Sequence, residues 1–261
     1  MPPKKIYFLW IQGLASAPEL VRICQRKWAS LNPDHEVVVL DGADVTRLLE
    51  GTAIPYRSLP AQALSDIVRA VLLAREGGIW ADSSALPVVP LRTWLPAAMQ
   101  EGGFFAFARP GPDRPISSWF LAAEPGHPLT EALWQEVVRF WSKPRRLLCP
   151  PSEIPPDPVA TVAPGQGGES DHFAYYWFHY LFRYLIESRP DLAAAWQRCA
   201  QRPADPSHQL QYLFARPEAP SLFEVMELAS RAPIHKLNWR APNPLDLLAA
   251  LGGEQMPVFV S

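Results

Sequence analysis

Cysteine is scarce in this chain: there are three in 261 residues, Cys24, Cys149 and Cys199, far apart and without metal-ligand spacing. That argues against a disulfide framework and against a zinc site. Charge is also sparse and balanced. The net charge is −2 and no basic run occurs, which excludes nucleic acid as an expected partner. No stretch approaches the ~20 apolar residues of a membrane span. After Lys4-Lys5 the apolar run covers only Ile6 to Ile11, too short for the core of a signal peptide and better suited to a first strand. The expectation is a cytoplasmic protein, with peripheral contact at a membrane surface left open. There is no Gly-x-Ser-x-Gly elbow, no phosphate loop ending in Gly-Lys-Ser/Thr and no His-Glu-x-x-His, so hydrolase and ATPase readings lose their usual support.

What is present suits one large domain. Hydrophobic residues make up 48% of the chain, enough for a substantial core at this length. Ile6–Ile11 reads as a strand, Pro18–Leu31 as a helix and Glu36–Leu40 as a second strand, which predicts a parallel pair with a crossover helix. Asp41 ends that strand, and Asp44 is the expected cap of the next helix. Further strands are expected over Gly103–Arg109 and Ser118–Ala123, and a helix over Pro128–Trp141. Phe173–Ile186 reads as an aromatic helix carrying His179, with one more helix after Pro220. A proline- and glycine-rich segment from Pro150 to Gly168 predicts a long loop, a candidate lid or acceptor-binding element.

The densest chemistry lies between Ser65 and Ser84. Leu64, Ile67, Val68, Val71 and Leu72 keep the three-and-four spacing of a helix buried along one stripe. Asp66 and Arg69, three apart, are neighbours beside it. Gly77-Gly78 stops the helix, because glycine tolerates the left-handed conformation at a helix end. Ile79-Trp80-Ala81 then reads as a short buried strand with Asp82 at its carboxyl end, where open α/β sheets bind ligands. The plain alternative is an exposed Asp66–Arg69 ion pair, with Asp82 closing a turn on its own backbone. Two carboxylates and a guanidinium converging at a strand end favour a site for a phosphorylated ligand.

Ser-Asp-x-x-Arg, a helix and Gly-Gly-x-Trp-x-Asp together resemble the core of the capsular polysaccharide synthesis proteins and related sugar transferases of glycosyltransferase family 32. More distantly, they are similar to the glucosylating domains of the large clostridial toxins. Lys5–Gly13, Ala17–Leu20 and Asn32–Glu36 resemble the family's opening, Ser117–Ala123 with Gly126-His127-Pro128 a middle segment, and Pro233–Leu237 its closing motif. The resemblance implies a GT-A-type α/β glycosyltransferase fold in a single domain, 1–261. Residues 1–125 would be the nucleotide-sugar-binding part and 126–261 a mostly helical acceptor part. It implies transfer of a hexose from a nucleotide sugar, UDP-linked in preference to GDP-linked, with retention of configuration; a covalent intermediate and front-face attack both stay open.

It also assigns candidate roles. Asp66, Arg69 and Asp82 would be catalytic: Asp66 accepts hydrogen bonds from ribose or sugar hydroxyls, and Arg69 holds the donor sugar or steadies Asp66. Asp82 takes the first place of the Asp-x-Asp metal motif, where Mn²⁺ or Mg²⁺ would neutralise the diphosphate. Ser84 stands where many relatives carry the second acid, and would reach the metal through its hydroxyl or a water. His235 is a candidate metal ligand and Lys236 a phosphate contact, with Asn238 and Trp239 completing that edge; the alternative is a surface loop with incidental basic residues. Trp10 is either a platform for the nucleotide base or a core tryptophan. Two rival functions remain: a degenerate transferase that only binds nucleotide sugar or carbohydrate, and an active one whose acceptor is a protein or small molecule in place of a glycan or lipid-linked saccharide.

Overall fold

The computed structural model describes residues 3–148, 155–165 and 171–252. The chain folds as a mixed α/β structure. Strands β1 (Lys5–Leu9) and β2 (Glu36–Leu40) are joined by helix α1 (Glu19–Leu31). Helices α2 (Gly42–Leu49) and α3 (Ala61–Arg75) then lead to β3 (Gly78–Ala81) and a short β4 (Ala85–Pro87). After α4 (Leu95–Met99), β5 (Phe104–Gly111) and β6 (Arg114–Ala123) form a hairpin. The rest is mostly helical: α5 (Pro128–Trp141), the two-residue strands β7 (Arg146–Leu147) and β8 (His172–Phe173), α6 (Trp177–Ser188), α7 (Pro190–Gln197), α8 (Asp205–Phe214) and α9 (Leu222–Ala229). β9 (Ile234–Lys236) and α10 (Leu245–Ala250) close the described chain.

The main sheet has the order β2-β1-β3-β6-β5. β1 runs parallel to both β2 and β3, and the remaining pairs are antiparallel. Strand alternation distributes side chains to two cores. Tyr7, Leu9, Trp80, Phe104, Ala106 and Leu121 face α3, α5 and α6. Ile6, Phe8, Ile79, Phe105, Phe107 and Phe120 face α1, α8 and α9. Both sheet faces are therefore covered, and each fully buried Phe or Leu contributes about 1.5–3 kcal/mol.

From β1 the chain first moves to one side to make β2, then crosses to the other side to make β3. The crevice between the carboxyl ends of β1 and β3 is thus a topological switch point, where ligands bind in open sheets. Trp10 follows β1 there and Asp82 follows β3. The turn into β3 depends on glycine. Gly77 and Gly78 have φ of 65° and 112°, and a Cβ on Gly78 would lie 2.6 Å from Tyr7 Cε2.

Several expected elements shift. The second helix is capped by Asp41, which accepts from Ala43 N and Asp44 N, while Asp44 returns a bond to the Asp41 amide. Asp44 closes a capping box as third helical residue and is not the cap itself. The aromatic helix starts only at Trp177, because Phe173 is drawn into a strand pair with Leu147. Of the Pro150–Gly168 loop, 150–154 and 166–168 lie outside the described residues, as does Cys149. Its described part packs inward: Pro158, Val159 and Thr161 are buried and Val162 O accepts from Arg139 at 2.7 Å. None of its described residues borders the crevice.

Candidate active site

Helix α3 carries Asp66 and Arg69 on its inward face, and both side chains are about 4% exposed. Arg69 is held by five contacts. Nη1 lies 3.0 Å from Asp66 Oδ1 and donates to Ser118 O at 2.7 Å. Nη2 donates to Ser65 Oγ at 2.8 Å and to Asp82 Oδ1 at 3.0 Å, and Nε donates to Ser65 O at 3.3 Å. Four of these contacts are hydrogen bonds and the fifth an ion pair, so the protein itself engages most of the five guanidinium N–H groups. Arg69 ties the two carboxylates together, which agrees with the steadying of Asp66 that was one of its two expected roles, and it also borders the cavity. The exposed ion pair offered as the plain alternative is wrong: the pair is buried.

The remaining oxygen of Asp66, Oδ2, accepts from Gln62 Nε2 at 3.0 Å, and the residue borders the cavity. Burial pushes this carboxyl up to about 7, Arg69 pulling against the rise and the Asp82 charge adding to it. A raised carboxyl pKa means that the folded state binds the proton more tightly than the unfolded chain. Its contribution to stability is complete below the unfolded value of ~3.9 and is lost as pH rises through about 7. Asp66→Asn cannot titrate. The melting temperature of wild type minus that of Asp66→Asn should therefore fall between pH 5 and pH 8, read from thermal unfolding in a buffer series. A flat difference would place the carboxyl's titration outside that range.

Asp82 follows β3. Its amide donates to Trp119 O at 2.8 Å, and Oδ1 accepts from Trp80 Nε1 at 3.0 Å as well as from Arg69. Burial works against its charge, but Arg69, Lys236 and the Trp80 indole outweigh that and hold the carboxyl below the usual carboxylate range. Ser84 is buried two residues on. The partner of both comes from the far end of the chain. β4 pairs antiparallel with β9, placing Ala85 opposite Lys236 and Leu86 opposite His235. Trp28 fixes β4 from behind by donating its indole N–H to Ala85 O at 2.9 Å. Lys236 Nζ lies 2.7 Å from Ser84 Oγ and 3.4 Å from Asp82 Oδ2.

Two cavities meet at this point. One, of about 620 Å³, is bordered by Asp66, Asp82, Ser84, Lys236, Asn238 and Trp239 on one side. Its other wall, formed by Trp119, Tyr175, Tyr176, His208 and Tyr212, carries aromatic rings that the sequence reading did not select. Tyr175 and Tyr212 are exposed at the rim, and His208 stacks on Tyr212. The second cavity, about 480 Å³, lies against Trp10, Gln12, Ser16, Trp239 and Arg240. Trp10 and Trp239 meet edge to face at 5.3 Å and Arg240 covers Trp239 at 4.0 Å. Trp10 is half-buried and borders that cavity, so it is not simply a core residue. Gln62 was also missed, although its position four residues before Asp66 on the same helix was a usable signal.

Of the expected metal ligands, His235 does not reach the site. Its ring is fully buried on the opposite side of β9, with Nε2 3.0 Å from Ala229 O, and burial pushes the imidazole down to about 4. The reason is strand alternation: if Lys236 faces the crevice, His235 faces the core. Asp82 and Ser84 are brought together, but around an ammonium group. Among the described residues no group of three or more His, Cys, Asp or Glu side chains is arranged to hold a metal ion. The Lys236 ammonium thus lies against Asp82 and Ser84 at the place where the resemblance implies Mn²⁺ or Mg²⁺.

Comparison with known proteins places this geometry in context. Residues 1–148, more than half of the chain, match the family described as capsular polysaccharide synthesis protein. The chain is 25% identical over 157 residues to the Saccharomyces cerevisiae protein named putative glycosyltransferase HOC1, covering 52% of this chain and 39% of that one. It is 25% identical over 138 residues to the Schizosaccharomyces pombe initiation-specific alpha-1,6-mannosyltransferase, covering 44% of this chain and 34% of that one. The matched regions thus span less than two-fifths of the length of these curated relatives. Among solved structures it is similar to the PaToxG glycosyltransferase, with a TM-score of 0.47 and 14% identity over 97% of this chain and 88% of that chain.

Proposed function

Because this chain belongs to the capsular polysaccharide synthesis protein family, we propose that it is a glycosyltransferase. It moves a hexose from a nucleotide-sugar donor, UDP-linked in preference to GDP-linked, to a hydroxyl of a glycan, lipid-linked saccharide or small molecule. The observation that carries this reading is the junction of two cavities. An aromatic-walled one at Trp10 and Trp239 suits a nucleobase, and it adjoins a charged one at Asp82 and Lys236 that suits a diphosphate and its sugar. Asp66 Oδ2 accepts a sugar hydroxyl, with Gln62 and Arg69 fixing its orientation. The aromatic wall of Trp119, Tyr176 and Tyr212 offers apolar faces to an acceptor sugar.

Transfer proceeds with retention, by front-face attack. The bond from the anomeric carbon to the donor phosphate oxygen breaks and its electron pair stays on that oxygen. The acceptor oxygen bonds the same carbon, and its proton passes to the departing phosphate. The protein supplies orientation and fixed charge. A mannosyl donor is the second reading, favoured by the name of the fission-yeast relative.

Binding of UDP and GDP, followed by intrinsic tryptophan fluorescence and by thermal shift, tests the proposal. Trp10→Ala should weaken binding by about tenfold, since stacking on one base is worth roughly 1–3 kcal/mol. Equal affinity in wild type and variant would remove the base from this cavity.

A further inference from the structure

The crevice contains its own cation at the place where the family resemblance calls for a metal. We propose that the Lys236 ammonium is the counter-charge for the donor diphosphate, and that this enzyme binds and turns over its donor without a divalent metal. The inference rests on the glycosyltransferase reading.

Three independent features lead to it. The first is occupancy of the motif. Nζ of Lys236 lies 2.7 Å from Ser84 Oγ, 3.4 Å from Asp82 Oδ2 and 3.4 Å from Leu237 O, so its three N–H groups face three oxygens. A divalent ion bound by Asp82 and Ser84 would share both ligands with this ammonium and repel it. Asp82 Oδ1 is already bonded to Arg69 and Trp80, and Asp66 to Arg69 and Gln62. The second is rigidity. Leu237 N donates to Ser84 O at 3.0 Å, continuing the β4–β9 pairing, so Lys236 is fixed by backbone on both strands. It is not a mobile surface lysine: only 23% of its side chain is exposed, and it borders the crevice.

The third is charge. Arg69, Arg114, Lys236 and Arg240 border the cleft against Asp66, Asp82 and Asp205, a balance of four to three that leans toward an anionic ligand. The serine at position 84 fits this arrangement. A second acid there would be a stronger metal ligand, whereas a hydroxyl accepts from the ammonium and adds no competing charge. In the transfer step the ammonium keeps its protons. It offsets the negative charge left on the phosphate oxygen as the glycosidic bond breaks, the role a metal fills in metal-dependent transferases.

The deciding experiment is calorimetric binding of UDP, GDP, UDP-glucose and GDP-mannose to the full chain, in EDTA and then in Mn²⁺. The expected result is binding of one nucleotide with affinity that changes less than about twofold between the two conditions. Lys236→Ala should weaken it at least about tenfold, a loss of about 1.4 kcal/mol. Lys236→Arg should weaken it less. In the Lys236→Ala/Ser84→Asp double variant, binding should return only with Mn²⁺. Wild-type binding that requires Mn²⁺, or Lys236→Ala binding as tightly as wild type, overturns the inference and leaves the transferase reading standing. No nucleotide bound in either condition overturns both. The EDTA comparison on wild type needs no variant, so a folding defect in Lys236→Ala does not blunt the test.

Discussion

Arg69→Ala is expected to lower the melting temperature by roughly 10 °C. Removing one member of a buried ion pair costs about 3–5 kcal/mol, and for a chain of this size each kcal/mol is worth roughly 2–4 °C. The cost is high because Arg69 serves two acids at once: Asp66 Oδ1 and Asp82 Oδ1 each lie 3.0 Å from its guanidinium. Truncation leaves both without their main counter-charge, Ser118 O without its donor and a void beside Trp80 and Phe178, whose rings lie 5.0 and 5.7 Å from the guanidinium carbon. Arg69→Lys should recover only part of the loss, since an ammonium cannot span Ser65, Ser118 and both carboxylates. Calorimetric unfolding of the three proteins checks this. Melting of Arg69→Ala within about 2 °C of wild type, a cost of at most ~1 kcal/mol, would mean that the network is not structural.

Asp82→Ala is expected to reduce turnover at least about 100-fold, the scale seen when one preorganised electrostatic group is removed from a catalytic site. Asp82 Oδ1 gathers Arg69 and Trp80, and Oδ2 faces Lys236. Without it the ammonium loses its charged partner and its alignment over Ser84. Asp82→Asn keeps the shape but not the charge, and should lose most of the rate as well. Release of UDP from a UDP-hexose in the absence of acceptor gives a readout that needs no knowledge of the acceptor. A variant within about threefold of wild type, less than ~1 kcal/mol, would take Asp82 out of the reaction. The two substitutions separate cleanly: Arg69→Ala acts first on stability, Asp82→Ala first on rate.

The local part of this site was legible in the sequence. From Leu64 to Asp82 the helical stripe, the glycine stop and the short apolar strand are properties of adjacent residues. Helix α3 and strand β3 form as expected, with Gly77 in the left-handed region. The β1–α1–β2 unit was legible for the same reason, since its periodicity changes from two to 3.6 and back within 36 residues. The start of the aromatic helix was not. Periodicity continued through Phe173, and the competing strand pair with Leu147 lies 26 residues away. Arg69 was placed correctly on its helix and beside Asp66, but its full set of partners was not legible. Ser65, Asp66 and Asp82 were visible as neighbours in the chain, whereas Ser118 O, 49 residues on, takes part of its donor capacity.

The aromatic wall stayed hidden for a related reason. Trp119, Tyr176, His208 and Tyr212 come from β6, the turn before α6, and α8, and only folding brings them to one crevice. By itself, the sequence determined the elements with strong local periodicity, among them β1, α1, β2, α3 and β3, and that Asp66, Arg69 and Asp82 gather where β3 ends. The tertiary structure alone decided what faces them. Lys236 reaches Ser84 across 152 residues because β9 pairs with β4 in one register. A shift of a single residue would exchange Lys236 for His235 at the crevice, since neighbouring side chains on a strand point to opposite faces. Local periodicity gives a strand two faces; only its non-local partner chooses which one becomes the site.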